Sequence, residues 1–367
     1  MDDNAWMRHA LTLAGRGLGR VWPNPAVGCV LVRDGKMIGE GWTQDGGRPH
    51  AEAHALLDVD ARGATAYVTL EPCAHHGKTP PCTEALIKAG VSRVVIATLD
   101  PDKRVDGRGV VMLKSAGVEV ETGLMALEAE ALNAGFLKVK RHGIPLVTLK
   151  LASTLDGRIA TSKGESRWIT GAEARLYAHH LRKTHDAIMV GAGTVRADDP
   201  MLNVRGLGNA KQPVRVVVDS GLSLSLTGRI ARSVADQPVW LLHGPSADKA
   251  RIAAWRSLGA VCHKVQVASD GRLDMRQILL LLAKQGLTRI LCEGGGKLAA
   301  TLLGGALVDE VQLITAGKIL GGDGTPNVAA MGLARLSDAP MFQRIASRRL
   351  GQDLLTRWIT ATDAKDA

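Results

Sequence analysis

His50, Cys73 and Cys82 are residues whose side chains could share a metal ion, and Glu52 stands two places after the histidine. One imidazole and two sulfurs suit zinc and leave one of its tetrahedral positions to water, whereas a structural site closes with a fourth protein ligand. Water at such an ion becomes a nucleophile near neutral pH. Two thiolates and a neutral imidazole cancel the charge of Zn²⁺, so this donor set acidifies water less than three imidazoles would, and a base is needed beside it. Glu52 is placed to be that base, taking a proton from water and later handing it to a leaving group. Cys82 precedes Thr83, a good N-cap for the helix expected next, and the positive end of that helix favours a thiolate.

Other readings of these residues stay open. A closed structural site would recruit His75 or His76 as a fourth ligand. His50 and His54 have the spacing of the zinc-protease motif, but that motif needs Glu directly after the first His, so His54 is expected as a packed or hydrogen-bonded helix residue. Cys29, in an apolar run, is expected in the core. The order His-x-Glu, Pro-Cys and a further Cys is the signature of zinc deaminases of nucleobases. Their commoner pattern has two residues between the cysteines, while here residues 74–81 intervene. This enlarged loop carries His75, His76 and Lys78, which would either meet a substrate phosphate or lie in solvent. Asn24, before Pro25, would either shape a turn or read a base edge.

Alternating strand-like and helical segments must position these groups. Strands are expected over 26–32 and 36–42, joined at Asp34-Gly35, and over 66–70, 93–98 and 118–120, with helices over 51–57, 83–89, 110–115 and 124–138. Residues 141–143 read as a linker, giving domains of 1–143 and 144–367. The second domain repeats the alternation, with strands over 146–152, 187–190, 214–218, 239–242, 289–292 and 311–316. Its helices are expected over 172–183, 250–258, 275–284 and 297–303. Both domains are therefore α/β sheets covered by helices, with functional residues at strand ends. Gly191-Ala192-Gly193-Thr194 and Glu293-Gly294-Gly295-Gly296 each follow a strand and read as turns whose backbone can approach phosphates. Arg196 stands where the dinucleotide fingerprint needs a third glycine, so that motif fails.

Length and composition limit the rest. A chain of 367 residues with 46% hydrophobic content buries a core and fits two domains. No window approaches eighteen consecutive apolar residues, and Met1-Asp2-Asp3-Asn4 lacks the basic character of a targeting peptide, so a soluble cytoplasmic protein with no membrane partner is expected. Five scattered cysteines favour metal binding over disulfides. The net charge of +10 is spread along the chain without a basic tail, which argues for small anionic ligands rather than nucleic acid.

The whole chain resembles the bifunctional deaminase-reductases of riboflavin biosynthesis. The resemblance rests on Asn24-Pro25-Ala26-Val27-Gly28, His50-Ala51-Glu52, the run from Tyr67 to Cys82, and Asp100-Pro101 in the first half. In the second it rests on the run from Lys150 to Arg158, that from Gly164 to Gly171, Gly191-Ala192-Gly193-Thr194-Val195, Asp198-Asp199-Pro200-Met201-Leu202, and Glu293-Gly294-Gly295. It implies a cytidine-deaminase-like first domain and a dihydrofolate-reductase-like second domain. The first would remove the 2-amino group of 2,5-diamino-6-ribosylamino-4(3H)-pyrimidinone 5′-phosphate with zinc on His50, Cys73 and Cys82 and Glu52 as proton shuttle. The second would reduce the ribosyl group to ribityl with NADPH. The resemblance implies cofactor contacts at Ala152, Trp168, Thr194, Asp198, Ser220, Gly295, Gly296, Lys297, Leu298 and Ala299. It implies substrate contacts at Ser166, Arg182, Leu202, Arg205 and Glu293, to which the residue reading adds Asn24, His76 and Lys78 as candidates in the first half; assembly as a homo-oligomer, dimer or tetramer, is expected. Arg167, where Gln is common, and Asp102-Lys103, where Asn-Pro is usual, depart from the pattern.

Overall fold

Side-chain alternation along β1 (Gly28–Arg33) organises the first half: Cys29 and Leu31 enter one apolar cluster and Val30 and Val32 another, on opposite faces of the sheet. The computed structural model describes residues 2–77 and 80–361, and the chain divides into two units, Met1–Ile144 and Pro145–Ala367. In the first, β2 (Lys36–Trp42), β3 (Thr65–Val68), β4 (Arg93–Ile96) and β5 (Glu119–Thr122) complete a sheet of order β2-β1-β3-β4-β5. β1 runs antiparallel to both neighbours, and β3, β4 and β5 are parallel. Trp6, Met7, Ala10 and Leu13 of α1 (Asp3–Gly15) cover the Val30 side. The other side receives Ala51 and Ala55 of α2 (Ala51–Ala55), Leu86 of α3 (Cys82–Lys88) and Leu113 of α4 (Arg108–Ser115). The long α5 (Ala126–His142) closes the unit and ends on Gly143 in the left-handed region.

The alternation expected from sequence holds, with local differences. Residues 3–15 form a helix that the sequence reading leaves unassigned; Asp2 caps it, its carboxylate accepting from Ala5 N. α2 stops at Ala55, and α3 begins at Cys82 with Pro81 as its cap, so Thr83 lies inside the helix. Pro81 supplies a suitable fixed φ there, and the Thr83 hydroxyl instead donates to Cys73 O at 3.2 Å. A β-carbon on Gly41 would stand 2.3 Å from Ala51 O, so only glycine lets α2 lie this close on β2.

The second unit is built on β6 (Leu146–Thr154), β8 (Ala187–Gly191), β9 (Val214–Val218), β10 (Val239–His243), β11 (Val261–Lys264), β12 (Arg289–Cys292) and β13 (Glu310–Ala316), all parallel. Their order is β11-β10-β9-β8-β12-β6-β13, extended by the antiparallel pair β16 (Asp353–Thr360) and β15 (Phe342–Leu350). The short β7 (Arg158–Ala160) pairs separately with β14 (Thr325–Pro326). Helices α6 (Ala172–Lys183), α7 (Ala192–Asp198), α8 (Arg229–Arg232), α9 (Lys249–Ser257), α10 (Met275–Lys284) and α11 (Gly296–Gly304) fill the connections. β8 reads as an uninterrupted apolar run because both its faces are covered. The β15–β16 pair escapes the sequence reading because Phe342–Leu350 is exposed along most of its length and carries three arginines.

Buried Asn133 of α5 ties the Asn24-Pro25-Ala26 turn to the body of the first unit: Ala26 N donates to its Oδ1 and its Nδ2 donates to Ala26 O, both at 2.9 Å. Asn133→Ala removes both partners of a buried peptide group. It is expected to destabilise the first unit by about 2–4 kcal/mol, read from the urea midpoint of its unfolding transition.

Candidate functional site

His50 sits at the N-cap of α2 with extended backbone, Cys73 in the segment after β3, and Cys82 at the first residue of α3. One ligand atom from each lies within 4.8 Å of the others. His50 Nδ1 is 3.3 Å from Cys82 Sγ and 3.6 Å from Cys73 Sγ. Donors about 2.0–2.3 Å from a tetrahedral zinc are themselves about 3.5–3.8 Å apart, so the set fits that ion with little movement. Among the described residues neither His75 nor His76 joins the group. His76 instead faces Glu84, 3.4 Å away.

The electrostatics favour a thiolate. Hydrogen bonding from Cys82, against the cost of burial and aided by His50, pulls Cys73 down to about 4. The Cys82 backbone N–H points at Cys73 Sγ from 3.3 Å. The Cys82 thiol is pushed well above its ordinary range by its bond to Cys73, by burial and by Glu52. Glu52, 3% exposed in the first turn of α2, is raised first by burial and then by the Cys73 charge. It is the buried carboxyl of this cluster, able to hold a proton at higher pH than a solvated glutamate.

Glu71 is a further part of the frame that the sequence reading does not single out. Its buried carboxylate accepts from Gly107 N at 3.0 Å and Gly109 N at 2.9 Å, so it caps α4 and secures the chain two residues before Cys73. A β-carbon on Gly109 would lie 2.3 Å from Pro72 O, which explains the close seat of α4. The visible signal was an acidic residue directly before Pro72-Cys73 at a strand end. His54 packs edge-on against Trp42, with ring centroids 5.0 Å apart, and its Nδ1 is 3.3 Å from Gln44 Nε2. Cys29 is fully buried. Asn24 packs over Gly47. Lys78 lies outside the described residues.

In the second unit the structure joins Arg182 and Glu293. Arg182 Nε and Nη2 donate to the two carboxylate oxygens at 2.6 and 2.9 Å, and Nη1 donates to Asn203 O at 3.0 Å. Lys150 Nζ is 4.0 Å from the same carboxylate. Burial would raise Glu293, but the charges of Arg182 and Lys150 outweigh it and hold the carboxyl at about 2. Burial lowers Lys150, against the pull of Glu293.

The two glycine-rich segments also meet: Gly295 N donates to Thr194 Oγ1 at 3.0 Å. The first of them is no turn, because α7 starts at Ala192 directly after β8. Gly296, Lys297, Leu298 and Ala299 form the first turn of α11, with Ala299 in the core. Trp168 is 60% exposed with Arg175 stacked 4.8 Å from its ring. Asp198 ends α7, and its carbonyl accepts from Arg167 Nη2 at 2.7 Å. Ala152 is half-buried on β6 and Ser166 half-buried in the loop before α6. Ser220 is exposed after β9, its carbonyl accepting from Gly244 N at 2.9 Å. Leu202 is buried in the core, and Arg205 is exposed. Asp102 pairs with Arg104 at 2.7 Å and Lys140 at 2.8 Å.

Two family profiles match, "Cytidine and deoxycytidylate deaminase zinc-binding region" over residues 1–98 and "RibD C-terminal domain" over residues 145–356. The riboflavin biosynthesis protein RibD of Escherichia coli K12 is 43% identical over 375 residues, which cover 98% of this chain and 100% of that protein. The chain belongs to the RibD family. Solved RibD from Acinetobacter baumannii superposes with a TM-score of 0.88 at 40% identity, covering 98% of this chain and 99% of that one. A Thermotoga maritima structure described as a diaminohydroxyphosphoribosylaminopyrimidine deaminase/5-amino-6-(5-phosphoribosylamino)uracil reductase gives 0.85 at 35% identity, covering 98% of each chain. The fold is thus the RibD combination of a cytidine and deoxycytidylate deaminase unit and a RibD C-terminal unit.

The Arg182–Glu293 pair carries a defined acid dependence. Glu293 is lower in the folded chain, at about 2, than the value of about 4.3 it has when unfolded. Its stabilisation is therefore fully present above the unfolded value and lost as pH falls through the folded one. Glu293→Gln should flatten the pH dependence of the second unit's denaturant midpoint across that acid window and lower the midpoint at neutral pH.

Proposed function

We propose that the chain carries out two successive steps on one phosphorylated pyrimidine, as a bifunctional deaminase and reductase of riboflavin biosynthesis with zinc and NADPH as cofactors. The first step removes the 2-amino group of 2,5-diamino-6-ribosylamino-4(3H)-pyrimidinone 5′-phosphate. The second reduces the ribosyl group of the deaminated product to ribityl. The observation that carries the reading is the His50, Cys73 and Cys82 set at tetrahedral spacing with buried Glu52 beside it, in a chain that aligns end to end with RibD.

His50 Nδ1 and the sulfurs of Cys73 and Cys82 would hold the zinc, which when bound supplies the Lewis acidity that makes water nucleophilic near neutral pH. Glu52 takes the first proton of the attacking water at a carboxylate oxygen and passes it to a ring nitrogen, then takes the second from the newly added hydroxyl and hands it to the amino group, which departs as ammonia as the C–N bond breaks and the carbonyl forms. Its burial keeps the proton available for that last transfer. In the second unit, Thr194 and the turn at Gly295 place the backbone for the coenzyme, and Arg182, Glu293 and Arg205 hold the substrate. NADPH, when bound there, would supply the hydride for reduction of the open-chain imine form of the ribosylamine at C1′. Lys150, held neutral more readily by burial, or Asp198 provides the proton. The partner is a small phosphorylated pyrimidine rather than nucleic acid. Among the described residues no helix is long and apolar enough to cross a membrane, which supports a cytoplasmic enzyme, and we assign it a homo-oligomeric state, dimer or tetramer.

Glu52→Gln should cut ammonia release by about 10²–10⁴-fold while NADPH oxidation on deaminated substrate continues. A chelator should likewise silence the first step alone. Ammonia release that survives Glu52→Gln, or deamination of an oligonucleotide in place of the free pyrimidine phosphate, would sink this reading.

A further inference from the structure

The segment from Met201 to Arg205, which joins α7 to β9, belongs to no helix or strand, yet side chains hold four of its consecutive carbonyls. Met201 O accepts from Arg215 Nη1 at 3.4 Å and Leu202 O from Gln237 Nε2 at 3.0 Å. Asn203 O accepts from Arg182 Nη1 at 3.0 Å. Val204 is bracketed by Gln212, whose Nε2 donates to its carbonyl at 3.0 Å and whose Oε1 accepts from its N–H at 2.7 Å. Leu202 has φ of +50° and Asp199 of +40°, conformations that side-chain-bearing residues adopt at a cost and keep only where their surroundings impose them.

The holding groups are themselves deeply set. Arg215 of β9 is fully buried, and its other partners are Ser233 Oγ at 2.6 Å, Ser233 O at 2.8 Å and Gln237 O at 2.6 Å, none of them charged. Gln237, also buried, donates to Pro213 O at 2.8 Å as well as to Leu202 O. A buried guanidinium spent on carbonyls and a hydroxyl makes a rigid cross-brace between β9, the approach to β10 and this segment. The same segment shares Arg182 with Glu293, so its position and that of the Arg182–Glu293 pair are set together.

We propose that Arg215 and Gln237 are positioning residues for the reductase substrate: they brace the 201–205 segment so that Arg205 and the Arg182–Glu293 pair keep one fixed arrangement. This rests on the reading that the segment faces the substrate. Neither residue touches the substrate; each acts through the carbonyls it holds. The loss of either should therefore weaken substrate binding and leave hydride transfer and coenzyme binding intact.

The test uses the full chain with Arg205→Ala, Gln237→Leu, Arg215→Lys and Gln212→Ala. Measured quantities are KM and kcat for 5-amino-6-(5-phosphoribosylamino)uracil, KM for NADPH and the thermal midpoint of the second unit as controls of its folding, and ammonia release as a control that the first unit is untouched. Gln237→Leu and Arg215→Lys should raise KM for the uracil substrate about tenfold, with kcat and the NADPH KM changed by less than about twofold and ammonia release unchanged. Gln212→Ala, at a less buried position, should give the same split at smaller size, and decides the matter if the buried variants fail to fold. If Arg205→Ala raises KM while the bracing variants do not, the proposal fails and the substrate reading stands. If Arg205→Ala leaves KM unchanged, the substrate reading falls and takes the proposal with it. A fall in kcat and in the thermal midpoint together with a rise in the NADPH KM would show a structural role only and overturn the proposal.

Discussion

Two sulfurs and an imidazole lie within 4.8 Å of one another in the first unit, and the elements around them are arranged to hold them there. Cys82 opens α3, so its free backbone N–H is available to Cys73 Sγ, and Cys73 gains the charge that burial alone would deny it. Every neighbouring element serves the same end. The Thr83 hydroxyl and N–H both hold Cys73 O, Glu71 fastens the chain just before it, and Gly41 lets α2 bring His50 and Glu52 down onto the sheet. The site is thus assembled from the starts of two helices and the end of one strand, each fixed by its own buried bonds.

The second unit handles charge in the opposite way. A part-buried acid, Glu293, is neutralised within the fold by a two-pronged bond from Arg182, with Lys150 close by. A pair this buried contributes less net stability than geometry, because desolvation takes back much of the Coulombic gain. Its effect is to hold a carboxylate and two cations in one arrangement at the end of β12, next to the Gly295 turn. One unit holds a donor cluster suited to a cation, and the other holds an ion pair closed on itself.

The comparison of sequence with structure is most instructive where the two part. Period-2 and helical patterns located most of the sheet strands, because burial on a covered sheet forces apolar residues into regular positions. The Phe342–Leu350 strand escaped because it is an exposed edge whose polar side chains leave no such pattern. The helix cap expected at Thr83 lies two residues earlier, since a proline at 81 and a carbonyl acceptor across the loop outweighed the local preference of threonine.

By itself the sequence determined the donor types, their order and the acid that accompanies them, because metal chemistry needs those side chains whatever the fold. It also determined the α/β alternation, through the burial pattern of each segment. Tertiary structure alone decided that His75 and His76 stay out of the metal cluster, that Arg182 is committed to Glu293, and that Glu71, Arg215 and Gln237 work as braces. Those roles depend on contacts between residues up to 111 positions apart in the chain, and local pattern carries no record of which distant carbonyl or carboxylate a buried polar group will meet.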